Sequence, residues 1–165
     1  MAGNLINIGG GVLTENPSGL LLPVVTDVLR NSANDATDNV EQAAASFVIP
    51  SNSLRIGSTV ELLFNYEFTN SANAKNMRVR INNAASGNIY SSVPHTNVAG
   101  GQLRQLLNIL DANTLYATDG VTPRNNTYTN IVGTGFTIFL TSAWGTQPIL
   151  GESIRLKIGK INIIY

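Results

Sequence analysis

Apolar residues recur at every second position over much of the chain. Val60, Leu62, Phe64, Tyr66 and Phe68 fall on one side of an extended backbone, and Glu61, Leu63, Asn65, Glu67 and Thr69 on the other. Side chains of a strand alternate between its two faces, so this run predicts a strand with one buried flank. The same period recurs where Met77, Val79 and Ile81 flank Arg78 and Arg80, and where Phe136, Ile138 and Leu140 alternate with Thr137, Phe139 and Thr141. It recurs again where Ile154, Leu156 and Ile158 alternate with Arg155 and Lys157. Ala45 to Ile49 predicts a shorter strand stopped by Pro50, and Ile161 to Tyr165 a last strand after Gly159. Turn-forming clusters separate these runs: Pro50-Ser51-Asn52-Ser53, Asn70-Ser71-Ala72-Asn73, Asn82-Asn83, Ser86-Gly87-Asn88, Thr118-Asp119-Gly120 and Gly145-Thr146-Gln147-Pro148. Many strands at short spacing, each wet on one face, predict an all-β, antiparallel β-sandwich of the jelly-roll kind.

Two stretches break the pattern. Leu103, Leu106, Leu107 and Leu110 have the i, i+3, i+4, i+7 spacing of a short amphipathic helix. Read as a strand, the same stretch puts Leu103, Gln105, Leu107 and Ile109 on one side. The first 39 residues also differ from the rest. Gly9-Gly10-Gly11 is a flexible run, Asn16-Pro17-Ser18-Gly19 a turn, and Asn31 to Asn39 a polar loop. Between them Pro23 interrupts an apolar patch and removes a backbone donor, which argues against a central strand. Two readings are open: an extended N-terminal arm over 1–39 that docks on a neighbour, ahead of a sandwich domain at 40–165, or a first strand packed on its own domain. Leu20, Leu21, Leu22, Val24, Val25, Val28 and Leu29 are the candidate docking residues. Burying one large apolar side chain fully is worth roughly 1.5–3 kcal/mol. So many of them do not belong on a solvated tail.

Composition narrows the classes. A chain of 165 residues suits one ordinary domain, or a domain plus an arm, with a core that needs no staples. Charged residues make up 12 %, about half the usual share of roughly 25 %. Net charge is +0 with no Lys/Arg run, which argues against nucleic-acid binding. No apolar stretch reaches the roughly 18–20 residues of a membrane-spanning helix. The absence of cysteine excludes thiolate zinc sites, disulfides and thiol catalysis. Met1-Ala2-Gly3-Asn4 lacks the basic-then-apolar pattern of a secretory leader, so none is expected, and the glycan-acceptor pattern Asn125-Asn126-Thr127 carries no weight.

Candidate chemistry is sparse. His95 follows Pro94 in a polar stretch read as a loop, without a Gly-x-Ser-x-Gly nucleophile elbow. Glu61 and Glu67 share a strand face, but six residues of strand separate them by about 20 Å. Glycosidase carboxylates stand roughly 5–9.5 Å apart. Asp111, Asp119 and Glu152 are read as solvated or salt-bridged. Arg78, Arg80 and Arg155 are read as isolated residues that keep a sheet face wet. Trp144, Tyr90, Tyr116 and Tyr128 suit either a sheet corner or the stacking of a sugar ring. No catalytic, metal or cofactor site is assigned.

From Ala45 to Asn82 the order of features is distinctive: Ile49-Pro50, Leu54, Gly57-Ser58-Thr59-Val60, the long alternating strand, Thr69-Asn70-Ser71-Ala72-Asn73-Ala74-Lys75, then Met77-Arg78-Val79-Arg80. Phe136-Thr137-Ile138 and Gly151-Glu152-Ser153-Ile154 continue it to the last strand. This arrangement resembles the small jelly-roll virion proteins of tailed bacteriophages, which include head decoration (cement) proteins and tail-fibre or receptor-binding tips. The resemblance implies a strand at Leu103 to Leu110, a homotrimer, and a place on the phage particle surface after synthesis in the host cytoplasm. It implies a major capsid protein or other virion protein as partner. The first functional reading is a capsid decoration protein that binds between capsomers. The second is a receptor-binding tip that stacks a surface glycan on Trp144, Tyr116 and Tyr128. No heptads or internal repeats of a fibre shaft occur, which favours the first.

Overall fold

The alternating runs all fold as strands. The computed structural model describes residues 15–16, 19–25, 28–31, 39–118 and 123–165. Its strands are β1 (Glu15–Asn16), β2 (Gly19–Val25), β3 (Val28–Asn31), β4 (Gln42–Ile49), β5 (Thr59–Phe68) and β6 (Lys75–Ile81). They continue with β7 (Ile89–His95), β8 (Gly100–Ile109), β9 (Thr114–Thr118), β10 (Pro123–Thr127), β11 (Phe136–Trp144) and β12 (Ser153–Ile164). One helical turn, α1 (Ile131–Thr134), precedes β11.

Among the described residues these strands form two antiparallel sheets. One runs β1-β2-β12-β5-β8-β9-β10, with β3 also paired to β12; the other runs β4-β11-β6-β7. The chain changes sheet between β3 and β4, β4 and β5, β5 and β6, β7 and β8, β10 and β11, and β11 and β12. The inner order, β2 and β3 beside β12, then β5 and β8, facing β4-β11-β6-β7, is a jelly roll. The inward residues of β5 (Val60, Leu62, Phe64, Tyr66, Phe68) are buried, as are Met77, Val79 and Ile81 of β6 and Phe136, Ile138 and Leu140 of β11. Phe47 of β4 meets Phe64 of β5 across the layers, with ring centroids 5.5 Å apart. A Cβ at Gly159 would stand 3.0 Å from Phe47 and 3.3 Å from Phe64, so the rings' approach depends on glycine there.

Three details differ from the sequence pattern or resolve it. Ile158 is only half-buried, because the register between β12 and β5 shifts between Leu156 and Ile158. The extra residue moves the alternation out of phase, and Gly159, Ile161 and Ile163 take the core positions instead. Leu103 to Ile109 is strand, not helix: Leu103, Gln105, Leu107 and Ile109 face inward, while Leu106 and, just past the strand, Leu110 are exposed. Pairing with β5 and β9 supplies the backbone partners that a helix would have made internally. The turn α1 buries a single residue, Ile131, too little to leave a periodic trace.

The leading segment enters the larger sheet through its backbone. β2 pairs with Gly159 to Ile164 and β3 with Ser153 to Leu156, both along the same edge of β12. Pro23 falls where the β2 register is interrupted, a place that tolerates a missing donor. The side chains of Leu20, Leu21, Leu22, Val24, Val25, Val28 and Leu29 lie outside the described residues, as does the Gly9-Gly10-Gly11 run.

Candidate functional site

Outward carboxylates of the larger sheet pair with cations on neighbouring strands. Glu61 accepts two bonds from Arg104, at 2.9 Å from Nε and 2.6 Å from Nη2. Glu67 sits 3.7 Å from Lys157. The two glutamates lie six residues apart on one strand, each beside its own cation, and do not form an acid–base pair. The Glu61–Arg104 pair, with Leu63, Lys160 and Asn162, lines a shallow depression of about 170 Å³. Asp111 accepts the Asn113 amide at 2.7 Å, a local turn bond that lowers its pKa. Asp119 lies outside the described residues.

Glu152 is buried rather than solvated, and so is its partner Lys75, at 3 % and 1 % exposure. Lys75 Nζ stands 3.7 Å from Glu152 Oε1 and donates to the Ser71 hydroxyl, which itself donates to Glu152. Asn73 Nδ2 and the Ile149 amide donate to the other carboxylate oxygen at 3.3 and 3.0 Å. Asn73 also bonds Thr146. One carboxylate thus ties the loop before β6 to the loop before β12, and holds Ile149 and Leu150 exposed on the turn between. Burial pushes its pKa up, but the bonds from Ser71, Asn73 and Ile149 outweigh that and hold it below the usual range. Lys75 is not among the candidates the sequence singled out, though the inward phase it shares with Met77, Val79 and Ile81 is a signal that could have found it.

Arg78 and Arg80 are not isolated. Both converge on Glu41, Arg80 through Nε at 2.6 Å and Nη2 at 2.7 Å, Arg78 through Nη1, and the Thr141 hydroxyl donates to the same carboxylate. Nothing in the sequence around Glu41 marked it. Burial raises its pKa, yet the bonds from Arg80, Thr141 and Arg78 bring it down to about 2 from an ordinary 4.5. A carboxylate with a depressed folded pKa stabilises the fold above its unfolded pKa and loses that contribution as pH falls through the folded one. The melting temperature should therefore drop between about pH 4.5 and 2, and Glu41→Gln should be less stable at neutral pH with a shallower acid slope. Thermal melts at stepped pH check this; an unchanged slope in Glu41→Gln would contradict it.

Of the aromatic candidates Trp144 and Tyr90 are buried, and Tyr116 and Tyr128 half-buried. Trp144 ends β11 at 2 % exposure, and the Arg30 guanidinium lies 4.6 Å from its ring centre. Arg30 also donates to the carbonyl and hydroxyl of Ser142, and to the Val40 carbonyl at 3.0 Å. A sugar ring has no open face of Trp144 to stack on. Tyr128 is half-buried, its hydroxyl 2.9 Å from that of Tyr90 and 3.1 Å from Asn88 Nδ2. Tyr116 is half-buried on β9, across from Asn108 and Asn125. His95 ends β7 rather than lying in a loop. Its Nε2 is 3.0 Å from the Tyr66 hydroxyl, and its ring packs edge-on to Tyr66 and tilted against Phe68. Burial lowers its pKa, so it stays neutral at physiological pH. Among the described residues no group of three or more His, Cys, Asp or Glu side chains is placed to hold a metal ion, and no helix is long and apolar enough to cross a membrane.

No protein-family model matches the chain, and no curated protein does. Among solved structures it is similar to infectious bursal disease virus of the Gx strain, at TM-score 0.46 and 15 % identity, and of the Gt strain, at 0.44 and 13 %. It is also similar to the VP2 subviral particle of the same virus, at 0.44 and 14 %. Each alignment covers 99 % of this chain but only 37–38 % of the other, so the chain spans under two-fifths of those chains' length.

The described charges are largely spent on one another, inside pairs that lock strands and loops. What remains is surface: two sheet faces, their edges, and loop tips carrying Ile56, Leu110, Ile149 and Leu150 exposed.

Proposed function

We propose that this chain is a structural subunit of a virus particle, acting by association rather than by chemistry. The observation that carries the reading is the use of its paired ions. Glu41 and Glu152, whose carboxyls hydrogen-bonding partners hold below their ordinary range, clamp a sheet face and two loops. The finer reading is a homotrimeric capsid decoration (cement) protein on the phage particle surface, bound between capsomers to the major capsid protein or another virion protein. The leading segment, 1–39, supplies its docking contact, through β2 and β3 whose backbones join the sheet of the sandwich body at 40–165. The candidate docking residues Leu20 to Leu29 lie on β2 and β3, which pair with β12, so the informative variants keep the backbone and replace side chains, Leu20→Ser/Leu22→Ser and Leu21→Ser/Val24→Ser. The variants that melt like the full chain should no longer bind mature heads. Undiminished binding would overturn the docking role, and electron microscopy placing the protein away from capsomer junctions would overturn the cement reading.

The alternative, a receptor-binding tip that recognises a host surface glycan, would rest on Tyr116 and Tyr128, since Trp144 lies beneath Arg30. A glycan array with a hit lost in Tyr116→Ala would favour it.

A further inference from the structure

The sheet edges are unequally protected. An edge strand presents a row of unpaired N–H and C=O groups, and proteins blunt such edges with proline, charge, bulges or shortness. Among the described residues, β1 is two residues long and β10 opens with Pro123-Arg124. β7 carries an irregularity opposite Val79 and Arg80, and Pro94 near its end. β4, at the edge of the four-stranded sheet, is different. Its one irregularity lies near its start, where Leu140 and Thr141 pair with Ala45 and Ala43. From Ala45 to Ile49 it runs in unbroken register with β11, without proline or charge. Ser46 and Val48 are exposed, Val48 at 60 %. No described strand pairs with β4 on its other side.

We propose that Ala45–Ile49 pairs antiparallel with the same segment of a second copy of this chain across a two-fold axis. An extended backbone whose outward donors and acceptors face no described strand is completed by another extended backbone. A two-fold contact sets a surface against itself, so a charge on the segment would face its own kind. Ala45-Ser46-Phe47-Val48-Ile49 carries none, and the chain's net charge of +0 does not drive copies apart. The side chains on the exposed face, Ser46 and Val48, are small enough for close strand approach. Joining the two edges makes one continuous eight-stranded sheet from two four-stranded ones. Pro50 ends the pairing, which limits it to a short, concentration-dependent contact. The contact rests on strand geometry and is independent of the virion reading. A three-fold ring closes on itself, and this contact would join one ring to the next.

Sedimentation of the full-length protein over a concentration series tests the pairing. The wild type should show a two-fold step in mass, and Val48→Lys, which sets like charges across the axis, should remove it. Ser46→Lys should do the same and stands in if Val48→Lys melts early. Mixing Val48→Lys with Val48→Glu should restore the step. A wild type without the step, a step retained in both lysine variants, or a mixed sample that stays dissociated would each overturn the proposal. None of these outcomes bears on where the protein sits in a particle, which microscopy decides separately.

Discussion

Glu152→Ala should lower the unfolding free energy by about 3–5 kcal/mol, because it leaves a buried ammonium without its counter-ion. Lys75 is 1 % exposed and stands against Ser71 and Glu152 at the start of β6. Removing one partner of such a pair costs far more than the pair contributes, since the survivor keeps its desolvation penalty. The double variant Lys75→Met/Glu152→Leu should therefore recover much of the loss. Urea denaturation with unchanged m-values reads both effects. A single-variant loss below about 1 kcal/mol, the range of a surface pair, would mean that water reaches the lysine and that the loop tie contributes little. The consequence reaches the surface. Without the carboxylate, the Asn73 and Ile149 donors lose their acceptor, and the turn carrying Ile149 and Leu150 is no longer held to the loop before β6.

Arg30→Ala should cost about 2–4 kcal/mol, combining a desolvated cation–π contact with charge-assisted hydrogen bonds to backbone. Arg30 sits on β3 in the larger sheet, and its guanidinium reaches Ser142 and Trp144 at the end of β11 in the other. It is a cross-layer clamp between β3 and β11. The chain has one tryptophan, so its fluorescence reports the site directly. Arg30→Ala should red-shift that emission, and Arg30→Lys should restore little, because an ammonium cannot stack flat and bond two carbonyls at once. Unchanged emission with an unchanged melting temperature would show that the clamp carries no load.

The all-β sandwich was legible because β5, β6 and β11 each bury one flank, and a half-buried strand writes a period of two into its sequence. Ile158 misled because a single inserted residue reverses every later side chain, and a bulge leaves no composition of its own. At Leu103 to Leu110 two periods coexist, and the choice fell to long-range pairing with β5, which local spacing does not encode. The charged residues were the least legible. Arg78 and Arg80 alternate as a wetted face should, but the acid that gathers them arrives from Glu41, about forty positions earlier in the chain. Lys75 carried a clear signal in its inward phase, whereas the burial of Glu152 depends on a loop contact that no spacing announces. Trp144 next to a turn fitted two roles, and Arg30 above its ring decides for packing.

β12 takes β5 on one side and both β2 and β3 on the other. Strands near the start of the chain thus wait for one more than a hundred residues later. During synthesis the large sheet cannot close until residues 153–164 have left the ribosome, and until then the leading strands and β5 present open seams. Loop closure over such distances is slow, and unsealed seams invite mispairing between nascent chains. Refolding yield should accordingly fall as protein concentration rises, and a chain stalled just before Ser153 should be far more prone to precipitate than one that has cleared it.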